Sequence, residues 1–151
     1  MTTLQNWLLF GHILAAMVWI GGIAMLGAFA VRVLRDDDPR AIGRFLATLR
    51  RVGPMVLAPA PLALVGFGVA LVADSDAFAF SEGWVQAGLA FFGAAFVVGA
   101  AHQSRAALAA ERAAERGDLA AAARSLRRWA YGMAVIVALL VGATWEMIFK
   151  R

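Results

Sequence analysis

Few side chains in this sequence could do chemistry, and the first of them is His12, which lies in a long apolar run. Residues 7–31 contain no other ionisable side chain. An ionisable residue within such a run is energetically costly and by default indicates a functional site. One interpretation makes His12 a ligand of haem iron or of a metal ion, since neutral imidazole is a common ligand. The other makes it a buried histidine bonded to Glu146, to Gln86 or to a backbone carbonyl of a neighbouring helix.

Three further polar residues interrupt apolar segments, namely Gln86, His102 and Glu146. Glu146 could orient a ligating imidazole, carry a proton, or lie close enough to the surface to be solvated. His102 precedes a polar stretch, which is typical of an interfacial histidine, and a ligand or anion contact is the alternative. Methionines could suggest thioether ligands for copper(I), but they follow no Met-x-x-Met spacing. They are Met17, Met25, Met55, Met133 and Met147.

The composition indicates an integral membrane protein. Hydrophobic residues make up 62% of the chain and charged residues 16%, with a mean hydropathy of +0.75, whereas soluble domains are nearer to about 45–50% apolar and 25% charged. The absence of cysteine excludes disulfides, thiolate metal sites, iron–sulfur clusters and covalently attached haem. No nucleophile elbow, phosphate loop or His-Glu-x-x-His motif occurs, so no catalytic residue is predicted.

Four apolar segments are each long enough to cross a membrane as a helix, because about 20 residues span the hydrocarbon core. Their approximate bounds are 7–31, 54–73, 84–103 and 129–149. They predict an all-α fold, an integral membrane four-helix bundle that forms a single transmembrane domain over residues 1–151. Pro59 and Pro61 remove backbone donors within the second span, so a kink is expected there.

The arginine-rich connections are predicted to be helical. Asp38-Pro39 is typical of a helix start, and the amphipathic segment 39–51 suits a helix at the membrane surface. Gly117-Asp118 supplies a helix stop and then an N-cap, which predicts that the third and fourth spans project beyond the membrane as an antiparallel hairpin. The apolar face of the first segment comprises Ile42, Phe45, Leu46 and Leu49.

The loop charges predict the topology. Residues 32–51 hold six arginines, residues 104–128 hold six more, and residues 74–83 hold none. Because short cytoplasmic loops are rich in Lys and Arg, both arginine-rich connections are placed inside and both termini outside. The basic residues behind the net charge of +4 are therefore expected to contact the lipid bilayer. No nucleic-acid partner is predicted.

This topology also predicts the depth of the polar residues. His12 follows Trp7 by five residues, which places it roughly 7–8 Å below the outer boundary at about 1.5 Å per residue. Gln86 and Glu146 are expected at a similar outer level. His102 lies roughly 27 Å deeper than the start of its span, near the cytoplasmic end. The two histidines therefore cannot ligate the same haem within one subunit.

Helical periodicity predicts which faces turn inward. His12 shares a stripe with Trp19, and small-residue faces on the third and fourth spans are expected to turn His102 and Glu146 toward the bundle interior. A second stripe on the first span would let another helix approach closely. It consists of Gly21, Ala24 and Ala28.

The segment HILAAMVWIGG, residues 12–22, resembles the opening helix of the CopD/HemJ-like group of small bacterial membrane proteins. The likeness extends to Gly53-Pro54 and Ala58-Pro59 at the entry to the second span and to Trp84-Val85 at the start of the third. It is closest to a branch of predicted integral membrane proteins of unknown function. In the HemJ branch the first-helix histidine is associated with b-type haem and protoporphyrinogen oxidation, so the resemblance implies haem b at His12. That branch also relies on a basic residue in a later helix, and no lysine lies within a span here. The CopD branch is linked to copper resistance.

These observations lead to one main hypothesis, a multi-pass protein of the bacterial inner membrane that binds one b-type haem for electron transfer or haem handling. His12 would be the axial ligand, Trp19 a wall of the pocket, and Glu146 a group that orients the imidazole or accepts a proton. Gln86 and His102 complete the set of candidate cofactor contacts. One alternative is a cofactor-free accessory subunit, as a homo-oligomer or in a larger membrane complex, whose arginine-rich face binds lipid or a partner. Another is a copper or small-molecule carrier.

Overall fold

The computed structural model describes residues 2–36 and 38–149, and this part of the chain is all-α. Four helical stretches in it are long and apolar enough to cross a membrane, in agreement with the four apolar segments of the sequence. The stretches are α1, α2 followed by α3, α4 continuing into α5, and α6. The bounds are α1 Thr3–Asp36, α2 Pro39–Val56, α3 Pro59–Ala73, α4 Gly83–Val97, a π-helical turn Val98–Gln103, α5 Ser104–Glu115 and α6 Leu119–Phe149.

The helices α1 and α6 form the central pair of the molecule. The helix α3 packs on α1, and α4 packs on α6, whereas α3 and α4 make no extensive contact with each other in the described part of the chain. The buried positions of α1 recur every three or four residues, as expected for one face of a helix. They are Ala15, Trp19, Ile23, Leu26 and Ala30.

The second crossing is made of two helices. The helix α2 begins at the Asp38 N-cap, whose carboxylate accepts a hydrogen bond from the Arg40 amide at 2.9 Å. It continues past Pro54 to Val56, a break follows at residues 57–58, and α3 starts at Pro59. The predicted irregularity at this proline is confirmed, because a proline supplies no amide to the preceding helical turn.

The apolar face of α2 is buried, but protein covers it, whereas the sequence pattern favoured immersion in the membrane surface. The helix packs on α1, α5 and α6, and the Phe45 ring meets the Trp129 ring of α6 with centroids 5.8 Å apart. The residues buried on this face are Ile42, Phe45, Leu46 and Leu49. The face therefore holds the arginine-rich ends of three other helices together.

The predicted helical hairpin is formed by α5 and α6, which pack on each other. Gly117 adopts a positive φ of 74°, a left-handed conformation that glycine enters at little cost and that ends helices. The carboxylate of Asp118 then accepts a hydrogen bond from the Ala121 amide at 2.9 Å and caps α6. Buried alanines let the two helices approach closely: Ala106, Ala110, Ala113 and Ala122.

Candidate functional site

His12 forms a hydrogen bond between two helices. It lies half-buried on α1, and its Nδ1 is 2.9 Å from the backbone carbonyl oxygen of Leu64 on α3. A carbonyl only accepts hydrogen bonds, so Nδ1 carries the proton and Nε2 retains its lone pair. Of the three partners considered for a structural histidine, the structure thus selects the backbone carbonyl.

Two glycines let α1 and α3 come together around this histidine. A Cβ at Gly68, one turn after Leu64 on α3, would lie 3.0 Å from His12 Cε1 and 3.1 Å from Nδ1. A Cβ at Gly11 would lie 2.9 Å from the Phe67 ring. At these separations a methyl group would press on the neighbouring ring and require it to shift, which shows that the imidazole ring lies directly against the α3 backbone.

Trp19 shares the inward stripe of α1 with His12, as predicted, but it is a core residue. Its side chain is 4% exposed, and its ring meets the Phe92 ring of α4 with centroids 5.7 Å apart. This contact joins α1 directly to α4. In the present packing Trp19 therefore offers almost no free surface as the wall of a cofactor pocket.

Glu146 and Gln86 are not bonded to His12. Glu146 is half-buried on α6, and no hydrogen bond joins its carboxylate to the imidazole. Gln86 is exposed on α4, where its Nε2 donates to the Phe80 carbonyl of the preceding loop at 3.4 Å. The structure therefore supports neither residue as the group that orients the imidazole, because the Leu64 carbonyl performs that task.

The prediction that His102 turns toward the bundle interior is wrong. The side chain is exposed, and its Nε2 lies 3.3 Å from the Arg128 carbonyl oxygen on α6. The reason is the π-helical turn of residues 98–103, because i→i+5 bonding changes the rotation of the residues that follow. The next residue, Gln103, takes the inward position instead.

Gln103 is a candidate that sequence reasoning missed. Its side chain is 6% exposed, and neither its amide nitrogen nor its amide oxygen has a hydrogen-bond partner in the described part of the chain. A Cβ at Gly132 of α6 would lie 2.8 Å from His102 Cδ2 and 3.0 Å from the Gln103 amide group. The only sequence signal was the glutamine next to a histidine at the end of an apolar run.

The imidazole of His12 fits the role of a single axial haem ligand. Ligating histidines generally donate their other ring nitrogen to a carbonyl or carboxylate, which fixes the ring and its tautomer. His12 does so through Nδ1, and its Nε2 has no hydrogen-bond partner among the described residues. A metal site built from several side chains is less well supported, since no group of three or more His, Cys, Asp or Glu residues is assembled within residues 2–36 and 38–149.

No protein-family model, no curated protein and no solved structure matches this chain. In the described part of the chain the fold is all-α, with four helical stretches long and apolar enough to cross a membrane and with a half-buried histidine, His12, bonded to a neighbouring helix. The resemblance to the CopD/HemJ-like group remains a prediction from the sequence.

Proposed function

We propose that this chain is a multi-pass protein of the bacterial inner membrane, with both termini outside, that binds one b-type haem through Nε2 of His12. The observation that carries the proposal is the hydrogen bond from Nδ1 to the Leu64 carbonyl at 2.9 Å. It holds the ring in the tautomer that leaves Nε2 able to donate a lone pair to iron. The resemblance of residues 12–22 to the haem-associated first helix of the CopD/HemJ-like group supports the same role.

The chemistry that haem would supply is one-electron transfer. The chain would contribute the axial imidazole, its fixed orientation, and an apolar surrounding that limits water access and so tunes the haem. His102 is bonded to the Arg128 carbonyl, at the end of the fold away from the start of α1. It is therefore not assigned as a second ligand of the same haem.

The test is the absorbance spectrum of the protein purified in mild detergent with haem supplied during expression. We expect a Soret band that is lost in His12→Ala and retained in His102→Ala, a matched control that removes the other histidine. Circular dichroism would establish that both variants remain helical. A His12→Gly variant should regain the band when imidazole is added, because free imidazole can replace the missing ligand. A colourless wild-type protein, or full haem content in His12→Ala, would contradict the proposal.

The same hydrogen bond also favours a second function, that of a cofactor-free accessory subunit in which His12 only fastens α1 to α3. Its support is that the imidazole packs on the Gly68 backbone and is already bonded to protein. This alternative predicts a colourless protein that elutes as a defined oligomer or with a partner. The spectrum and the elution profile together separate the two functions.

A further inference from the structure

An open groove runs between α1 and α6 at the arginine-rich end of the molecule. It has a volume of about 760 Å³ and extends along α1 from Ile23 to Asp36. Small side chains on both helices leave it open, and these include two members of the stripe that was predicted to receive a neighbouring helix. The small and branched residues that line it include Ala24, Gly27, Ala28, Val31, Ala130 and Ala134.

Three arginines, one tyrosine and one carboxylate surround the mouth of this groove, where Arg32 and Asp36 of α1 line the wall beside Arg35. A second cavity of about 490 Å³ adjoins it and shares Val31, Arg35, Ala130 and Ala134 with it. Arg127 and Tyr131 of α6 complete this mouth, and Tyr131 is 73% exposed, as is usual for a tyrosine at a membrane interface. The helices α1 and α6 thus each place an arginine, Arg35 and Arg127 respectively, at the mouth of the groove.

The charge of these two arginines is not neutralised within the described part of the chain. The nearby Arg32 pairs with Asp36 at 4.0 Å, but neither Arg35 nor Arg127 forms a salt bridge to any residue in 2–36 or 38–149. An apolar groove that ends at two guanidinium groups with no salt bridge to the described residues is complementary to a molecule with an apolar tail and an anionic head.

We propose that this groove binds an anionic phospholipid, with an acyl chain between α1 and α6 and the phosphate at Arg35 and Arg127. The length agrees, because the groove from Ile23 to Arg35 spans about 18 Å along the helix, close to one leaflet of a hydrocarbon core of about 30 Å. Basic pockets between transmembrane helices recognise anionic headgroups in this way. A second copy of the chain is less suitable, since it would bring the same arginines into the contact. The inference does not depend on haem binding.

The experiment is a titration of the full-length protein in neutral detergent with phosphatidylglycerol, followed by native mass spectrometry. Phosphatidylcholine, which has the same tail and no net charge, is the lipid control, and inorganic phosphate tests the headgroup alone. The double variant Arg35→Gln/Arg127→Gln should bind phosphatidylglycerol about 25-fold more weakly, because each arginine near an anionic lipid contributes roughly a factor of five. Ala134→Phe should also weaken binding, because its ring fills the groove without changing the charge.

The matched control is Arg50→Gln/Arg116→Gln, which removes the same charge from exposed positions outside the groove. It should bind phosphatidylglycerol as the wild type does. Equal losses in the two double variants, equal binding of phosphatidylcholine, or equally strong binding of inorganic phosphate would overturn the proposal. So would a wild-type dimer that Ala134→Phe converts to a monomer, since the groove would then hold a second copy.

Discussion

Each of the two histidines of this protein forms a hydrogen bond to a backbone carbonyl of a neighbouring helix, but the surroundings of the two side chains differ. His12 bonds to the Leu64 carbonyl across α1 and α3, and His102 bonds to the Arg128 carbonyl across the π turn and α6. Each ring lies beside a glycine of the partner helix, Gly68 in the first case and Gly132 in the second. Yet His12 is half-buried, whereas His102 is exposed beside the buried Gln103, whose amide atoms have no hydrogen-bond partner among the described residues. A histidine in an apolar segment therefore predicts a contact between helices, but it does not predict how deeply the side chain is buried.

We expect the largest effect on stability, and the largest difference between the two histidines, when each is replaced by alanine. His12→Ala removes a partly buried hydrogen bond and leaves space beside Gly68, so we expect a loss of about 2–3 kcal/mol in the free energy of unfolding. His102→Ala removes a longer bond at an exposed position and should cost at most about 0.5 kcal/mol. Unfolding by SDS titration in mixed micelles, followed by circular dichroism, measures both. Equal costs would show that the two contacts are equivalent.

A smaller difference in stability is expected when Gly132 and Gly68, the glycines beside the two histidines, are each replaced by alanine. Gly132→Ala should destabilise the protein by about 2 kcal/mol, because a methyl group would push into the buried Gln103 amide. Gly68→Ala should cost about 1 kcal/mol, since the half-buried His12 ring has some room to shift. Gly27→Ala is the control, because its Cβ would meet Met133 at an ordinary 3.6 Å. The same SDS titration applies, and a Gly132→Ala variant as stable as the control would refute the tight packing inferred at the π turn.

The smallest effect concerns Gln103 and has the opposite sign. Gln103→Met keeps a similar shape and removes two polar atoms that have no partner among the described residues. Because an unsatisfied buried polar group is unfavourable, the variant should be about 1 kcal/mol more stable than the wild type. Thermal unfolding in detergent, followed by tryptophan fluorescence, would measure the change. A loss of stability would mean that the amide is bonded in the native protein, with buried water as the simplest partner.

Sequence reasoning was most successful where a single helix determines the outcome. The four spans, the irregularity at Pro59 and the cap at Asp118 follow from apolar length, from the missing proline amide and from a carboxylate in a known position. The inward position of Trp19 also followed from the period of α1. These features depend on neighbours within the same segment, which the sequence displays directly.

The features that were missed depend on how separate helices meet. A backbone carbonyl was one of three partners considered for His12, but no side-chain pattern marks the carbonyl of Leu64 among the many on α3. The π turn changed the rotation at residues 102 and 103, so a strict α-helical period chose the wrong residue. The small residues of α1 indicated a close helix approach, but α6 lies to one side and leaves them facing a groove. Haem binding and topology remain predictions.

The break between α2 and α3 has a mechanical consequence for the second crossing. The 15 residues of α3 reach only about 22 Å, which is less than a hydrocarbon core of about 30 Å. The last turns of α2 must therefore enter the membrane for this crossing to be complete. Pro59 and Pro61 offer no amide to the carbonyls of Met55 and Leu57, so two helical hydrogen bonds that would resist a change of angle between α2 and α3 are missing there. The second crossing is thus divided at two prolines, whereas the third carries a π-helical turn and the first and fourth are continuous α-helices, so the second has the most freedom to adapt its tilt to bilayer thickness.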